Sequence, residues 1–258
     1  MALTDFTTDH SVDVHPSEVE SERFGYSFGR CSVPINSAAG PADIARAIES
    51  RDPDITVLRY PAERVDWFEQ LARRLENRVL IHTDNLVYWS LTVGTGRQPD
   101  LVEDLRTANP TDARMIGDLT TKIFTGYAGH YRANPLLSAA AADAGYRDWA
   151  MRTPLRDVVV LHDGESPIGI ATTESTPEHV EILLAGVIPA QRGIGRYPHL
   201  LQAVETIAGD SSKSNVVIST QAGNVGVQRA WARYGFLPLT SINTMHVIRA
   251  ETWTAYQM

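Results

Sequence analysis

The sequence predicts an α/β fold of the α+β kind: a mixed, mostly antiparallel sheet flanked by helices, preceded by a smaller partial α/β unit. Three observations predict it. Apolar runs of strand length at residues 158–162, 168–173 and 180–188 are joined by short turns at Asp163-Gly164 and Ser175-Thr176-Pro177, as antiparallel neighbours are. The third run stops at Pro189 and passes through Arg192-Gly193-Ile194-Gly195 into a segment with Leu200, Leu201, Val204 and Ile207 on one helical face. Such a strand, glycine turn and helix leaves unpaired backbone N–H groups at the positive end of a helix dipole, a site suited to a pyrophosphate. Before these runs, helical and extended patterns alternate over the first ninety or so residues.

Taken in order, residues 1–21 are polar and acidic and read as a flexible tail. Residues 23–33 read as a first strand, 41–50 as a helix and 55–60 as extended chain. Residues 61–77 read as a helix with Pro61 near its first turn and Val65, Phe68, Leu71 and Leu75 on one face. Strands at 79–82 and 87–93 close this unit, and the polar segment 94–100 is the boundary. The domains expected are thus a tail at 1–21, an N-terminal α/β unit at 22–100 and a second domain at 101–258. In the latter, helices at 111–123 and 136–151 enclose a loop rich in aromatic and small residues at 124–135. The three strands and the glycine turn come next, then a strand at 216–220, a helix at 224–234 and a strand at 242–248.

With 258 residues, 43% of them hydrophobic, the chain can bury a core without staples. Its single cysteine, Cys31, excludes an intramolecular disulfide framework and cysteine-based zinc clusters, which suits a reducing compartment; the cytoplasm is expected. No apolar run approaches the roughly 18 residues of a membrane span, and the polar, acidic residues 1–22 do not read as a secretion signal, so none is expected. A net charge of -8 disfavours nucleic acid, so an anionic ligand needs local positive charge. The histidines other than His130 (His10, His15, His82, His162, His179, His199 and His246) show no metal-ligand spacing with carboxylates or Cys31, and no metal is expected.

Two helices, three antiparallel strands ending in Arg192-Gly193-Ile194-Gly195, a helix, a further strand, then Asn224 with Trp231 and Gly235-Phe236: over about residues 106–249 this resembles the GNAT superfamily of acyl-CoA-dependent N-acyltransferases. A narrower similarity, to the dTDP-fucosamine acetyltransferase group, is carried by three stretches. They are Ser21-Glu22-Arg23-Phe24-Gly25-Tyr26-Ser27-Phe28-Gly29-Arg30, then His130-Tyr131-Arg132-Ala133-Asn134-Pro135 with Tyr146 and Trp149 behind it, and Ser219-Thr220-Gln221-Ala222-Gly223-Asn224. The resemblance implies acetyl-CoA as co-substrate, direct transfer to the amine of a nucleotide-linked amino sugar, and a partial, cofactor-free α/β unit before the catalytic domain. It implies that Arg192, Gly193, Ile194, Gly195, Arg196 and Tyr197 hold the pyrophosphate, with Asn224 and Trp231 in the closing motif. It also implies backbone oxyanion donors at Ala185, Gly186 and Val187, where Gly186 marks a bulge or close approach.

Acyl transfer from a thioester to an amine needs a neutral amine, donors for the oxyanion and a proton for the thiolate. Glu181, opening a buried strand among apolar neighbours, is the candidate base. For the thiolate the candidates are Tyr234, Trp231 and Thr220, although the helical phase of Val227, Trp231 and Tyr234 is also that of plain core packing. The family's tyrosine acid falls seven residues after the motif asparagine, where this chain has Trp231, whose indole N–H does not titrate. Pro198 removes one N–H after the glycine turn. His130, Tyr131, Arg132 and Asn134 lie in the loop that closes over the acceptor in the family, so they are the candidate acceptor contacts, with His130 able to act on the amine. Acceptors of another kind, or acyl-CoA binding without turnover, remain open. Exposed sheet edges make a homodimer possible.

Overall fold

The computed structural model describes residues 2–257. The chain forms α1 (Thr4–Thr7), β1 (His15–Pro16), α2 (Glu18–Phe24), β2 (Phe28–Ser32), α3 (Pro41–Arg51), β3 (Ile55–Pro61), α4 (Trp67–Arg74) and β4 (Arg78–Thr92). Next come β5 (Leu105–Ala108), α5 (Ala113–Phe124), α6 (Ala139–Arg152), β6 (Val158–Asp163), β7 (Ser166–Ser175) and β8 (His179–Val187). The last elements are α7 (Tyr197–Asp210), β9 (Asn215–Gln221), α8 (Val225–Tyr234), β10 (Leu237–Arg249) and α9 (Ala250–Gln257). They fall into two compact units. Unit 1 holds the chain up to Val87, Ala128–Ala142 and the chain from Thr240 onward; unit 2 holds Tyr88–Tyr127 and Asp143–Leu239. The chain therefore crosses between units several times, where the sequence suggested a single boundary near residue 100. Among the described residues no helix is long and apolar enough to cross a membrane.

Unit 1 is a sheet in the order β1-β2-β3-β10-β4. β2 and β3 are parallel, with Phe28 opposite Ile55, and β10 lies antiparallel to β3, with Ile248 opposite Ile55. One face packs Leu58, Tyr60, Met245 and Val247 against Ile44 and Ile48 of α3 and Leu71 of α4. The other packs Ile55, Val57 and Ile248 against Leu136 and Leu137. Residues 1–21 are not a tail: Phe6 is 0% exposed and Val14 joins the first core, so a few widely spaced apolar residues anchor a polar stretch. The first strand begins later than expected, because Gly25, at φ 75°, ends α2 in the left-handed conformation that glycine adopts without strain. On α4 the buried stripe is Trp67, Leu71 and Leu75, whereas Val65 is 83% and Phe68 41% exposed. The buried thiol of Cys31 is pushed up to about 12 by desolvation, which removes it as a nucleophile at neutral pH.

Unit 2 is a sheet in the order β4-β9-β8-β7-β6-β5. β5 to β8 are antiparallel neighbours, as the short turns predict, and β9 pairs with β8 in parallel. Its two faces carry separate cores. Val180, Ile182, Val187, Val216 and Ile218 pack with Leu200, Leu201 and Val204 of α7 and Trp231 and Tyr234 of α8. Val158, Val160, Ile170 and Leu184 pack with Ile116, Leu119, Ile123 and Phe124 of α5. The Asp112 side chain caps α5 by accepting the Met115 N–H at 2.8 Å.

One irregularity organises this unit. Along β7 and β8 the pairs run Glu174–Glu181 and Thr173–Ile182, then Thr172–Leu184, so Leu183 is an extra residue, a β-bulge. The bulge switches faces: Ile182 points toward α7 and α8, and Leu184 toward α5. The bulge expected at Gly186 is thus three residues earlier, and Gly186 serves close approach. A Cβ built there would lie 2.5 Å from Ile123 Cγ2. Gly186→Ala is expected to cost about 1–3 kcal/mol through overpacking, read as a lower urea midpoint with an unchanged slope. An unmoved midpoint would show that α5 can give way.

Candidate active site

β8 and β9 pair only from His179–Asn215 to Ile182–Ile218, and beyond that point the strands part. On the other side β8 stays bonded to β7 as far as the Ile188 N–H, which donates to the Ile168 carbonyl at 2.8 Å. The alternation of an antiparallel ladder then turns Gly186 toward β7 and directs the backbone groups of Ala185 and Val187 into the opening. The Val187 carbonyl obeys this, accepting from Arg192 Nε at 3.3 Å. Of the three amides expected as donors, two face the opening and Gly186 does not.

The chain leaves β8 through a 3₁₀ turn (Pro189–Gln191) and reverses at Gly193 and Gly195, with φ of 79° and 81°. These values require glycine, and they bring the backbone into the first turn of α7. Among the described residues, no N–H from Gly193 to Tyr197 donates elsewhere in the chain. This turn fits the diphosphate of a coenzyme through backbone donors at a helix N-terminus. Its arginines are differently employed. Arg192 Nη2 donates to the Ile123 carbonyl at 2.9 Å, tying the end of α5 to the end of β8, and Arg196 Nη2 lies 3.4 Å from Asp163 Oδ2.

Residues 121–236 match the model of a family described as the acetyltransferase (GNAT) family. This region is similar to a GNAT acetyltransferase domain and has that fold. The family is one of acyl-CoA-dependent N-acyltransferases. No curated protein matches the chain. Among solved structures, the chain is similar to a GCN5-related N-acetyltransferase from Sphaerobacter thermophilus, with a TM-score of 0.56 and 15% identity over 76% of this chain; it spans 60% of that protein's length. A GCN5-related N-acetyltransferase from Kribbella flavida matches with a TM-score of 0.54 and 14% identity, over 86% of this chain and 81% of that one. A GCN5-related glucosamine N-acetyltransferase region of a fungal multi-domain β-N-acetylglucosaminidase matches with a TM-score of 0.59 and 10% identity, over 91% of this chain and 31% of that one. At such identities the likeness is one of fold.

In unit 2 a polar cluster stands beside the opening. Asn224, before α8, donates from Nδ2 to Thr220 Oγ1 at 3.0 Å and to the Tyr127 hydroxyl at 3.4 Å. Tyr127 also lies 3.1 Å from Thr220 Oγ1 and donates to Gln221 Oε1. The sequence marks Tyr127 only through the aromatic loop after α5, and Gln221 only within the stretch 219–224. Trp231 donates from Nε1 to the Tyr197 hydroxyl at 2.9 Å, so indole and phenol hold each other, and burial raises the Tyr197 pKa. Glu181 is 1% exposed, beside His179 at 3.9 Å, on the face of β8 turned from α7 and α8. Among the described residues no group of three His, Cys, Asp or Glu side chains is placed to hold a metal.

Tyr234 is not at the opening. Its hydroxyl donates to Glu205 Oε2 at 2.6 Å, and Glu205 Oε1 accepts the N–H groups of Gly94 at 2.8 Å and Gly96 at 3.0 Å. Burial and the Glu205 carboxylate raise its pKa. Glu205 lies eight residues along α7 from Tyr197, roughly 12 Å from the glycine turn at 1.5 Å per residue. Tyr234 thus anchors the 94–96 turn and is poorly placed as a thiolate acid. Tyr234→Phe is expected to cost about 1–3 kcal/mol by leaving Glu205 short of a donor while CoA affinity is unchanged, measured by thermal unfolding and titration calorimetry.

The candidate acceptor residues belong to unit 1 and are largely engaged there. The Arg59 guanidinium, which can only donate, reaches His130 Nε2 at 3.1 Å; His130 Nδ1 lies 2.9 Å from His246 Nε2, and Asn134 Nδ2 lies 3.0 Å from His246 Nδ1. Tyr131 donates to Glu20, whose other oxygen accepts from Arg30 Nε at 2.5 Å. Arg132 alone of the four is exposed. His130, Tyr131 and Asn134 therefore fix residues 128–142 onto their own sheet. Burial and the nearby Arg59 hold His130 well below its ordinary range and His246 at about 3. A lowered folded pKa contributes stability above the unfolded value near 6.5 that is lost as pH falls toward 3. Stability should drop in that window by up to about 1.4 kcal/mol per pH unit for each histidine. Urea titrations across pH should show a flatter acid limb for His246→Gln than for the wild type.

Proposed function

We propose that this chain transfers an acetyl group from acetyl-CoA directly to the amine of a small acceptor, and that the acceptor is a nucleotide-linked amino sugar. The observation that carries the transfer is the parting of β8 and β9 beyond Ile182, with the Ala185 and Val187 amides turned into the gap and the strand continuing into the free amides of 193–197. The turn would bind the diphosphate, and the two amides would donate to the thioester oxygen as it gains charge. The amine nitrogen attacks the acyl carbon, a C–N bond forms and the C–S bond breaks. Glu181 takes the amine's proton through water, a role favoured by its place on the strand that supplies the donors. Cys31, buried in unit 1 with a raised pKa, supports transfer without an acyl-enzyme.

The amino-sugar acceptor rests on the sequence resemblance of residues 21–30, 130–135 and 219–224. The fold likeness to a protein described as a glucosamine N-acetyltransferase region is compatible with it. The engagement of His130, Tyr131 and Asn134 in their own network weighs for a different small amine as second reading. Thiol release from acetyl-CoA over a panel of dTDP- and UDP-amino sugars, small amines and lysine peptides tests both. Turnover confined to amino-sugar nucleotides, cut at least about tenfold in Glu181→Gln as for loss of a general base, supports the first. Turnover only on other amines replaces the acceptor and keeps the reaction, and absence of both CoA binding and turnover overturns the proposal.

A further inference from the structure

The acyl transfer proposed above leaves a thiolate to be protonated, and the two tyrosine-like positions expected for it fail: Trp231 has no acidic proton and Tyr234 is bonded to Glu205. We propose that Tyr127 is the acid, reaching the reacting sulfur through the opening between β8 and β9. The proposal rests on the acyl-transfer reading above and adds to it a residue from the segment after α5.

Three observations place Tyr127 there. Its ring packs on the α5 face of the sheet, against Phe124 at 5.6 Å and Tyr146 at 5.5 Å between centroids. Its hydroxyl, however, meets Thr220, Gln221 and Asn224, and Thr220 shares the side of β9 that Val216 and Ile218 turn toward α7 and α8. A side chain rooted on one face and bonded to Thr220 and Gln221, the last two residues of β9 and on opposite sides of it, stands at the end of β9, where the neighbouring strands have parted. The third observation is the register. Two steps beyond the last pair, Ile182–Ile218, β9 has reached Thr220, while β8, with Leu183 as its extra residue, has reached Ala185. The Tyr127 hydroxyl and the Ala185 amide therefore face one another across the same gap. An acyl carbon whose oxygen turns to Ala185 and Val187 has Tyr127 on its other side, where a leaving group departs.

The step balances without another reactant. As the C–S bond breaks, its electron pair stays on sulfur and the Tyr127 O–H gives up its proton to it. The proton lost by the amine on forming the C–N bond returns through water to the phenolate. Thr220 and Asn224 position the phenol, and between turnovers its O–H donates a hydrogen bond to Gln221 Oε1.

The pKa of the thiol of bound CoA, followed by thiolate ultraviolet absorbance against a desulfo-CoA blank, tests this independently of the acceptor. A phenol that donates to sulfur favours the thiolate, so Tyr127→Phe should raise the bound thiol's pKa by about one unit and change CoA affinity by less than about threefold. Gln221→Leu, which removes the competing acceptor, should lower it. With a turned-over acceptor, Tyr127→Phe should also cut turnover by about 10²-fold. An unchanged thiol pKa in Tyr127→Phe, or a rise seen in Tyr197→Phe instead, overturns the assignment. Should Tyr127→Phe fail to fold, an unchanged pKa in Gln221→Leu does the same. Wild-type protein that does not bind CoA removes the acyltransferase reading itself, a failure distinct from the others.

Discussion

The extra residue at Leu183 is the constraint on which unit 2 depends. A regular strand would keep β8 paired to both neighbours, and its amides would be consumed by the sheet. The bulge lets β8 stay bonded to β7 while β9 departs, so two backbone N–H groups are left facing a gap at no cost in side-chain chemistry. It also exchanges faces, bringing Gly186 beneath α5, where only glycine lets Ile123 approach. Position and packing of the opening thus follow from one insertion in the ladder.

Charge is handled in the same economical way. A ligand carrying phosphates suggests arginines, and Arg192 and Arg196 flank the turn, yet both are engaged within the protein. What the turn offers, among the described residues, is a run of backbone N–H groups with no hydrogen bond to the rest of the chain, beside two left-handed glycines and a helix start. Such donors are fixed by the fold, and their orientation costs no side-chain entropy when a ligand binds. An acidic chain can hold an anion in this manner, because the field that matters is local.

Unit 1 shows the opposite use of polar groups. Glu20, Arg59, Thr244 and His246 are buried, and each has partners on strands or on residues 128–142. Buried polar groups joined this way specify how a segment lies on a sheet, since any displacement leaves several groups unpaired. The acid sensitivity of the two histidines is a by-product of the same burial.

Most of unit 2 was legible in the sequence, because hairpin turns, apolar runs of strand length and the Gly193 and Gly195 turn are local signals. The helix over 111–123 and the strand over 158–162 differ from Ala113–Phe124 and Val158–Asp163 by a residue or two at either end. Unit 1 was less so. Its anchors Leu3, Phe6 and Val14 are scattered through a polar stretch, and the true face of α4 runs through Trp67 where the periodicity of Val65 and Phe68 suggested another. Family motifs identified the strand, turn and helix that form the site, but residue types alone could not say which were free to act. Tyr234 and Asn134 look available in the sequence and are bonded in the fold; Tyr127 looks like loop filling and reaches the gap. The sequence by itself determined the order of elements and the glycine turn, since both depend on neighbours along the chain. Only the tertiary structure decided the bulge, the two amides and the partner of each polar side chain, because those depend on which strands part and on what packs across them.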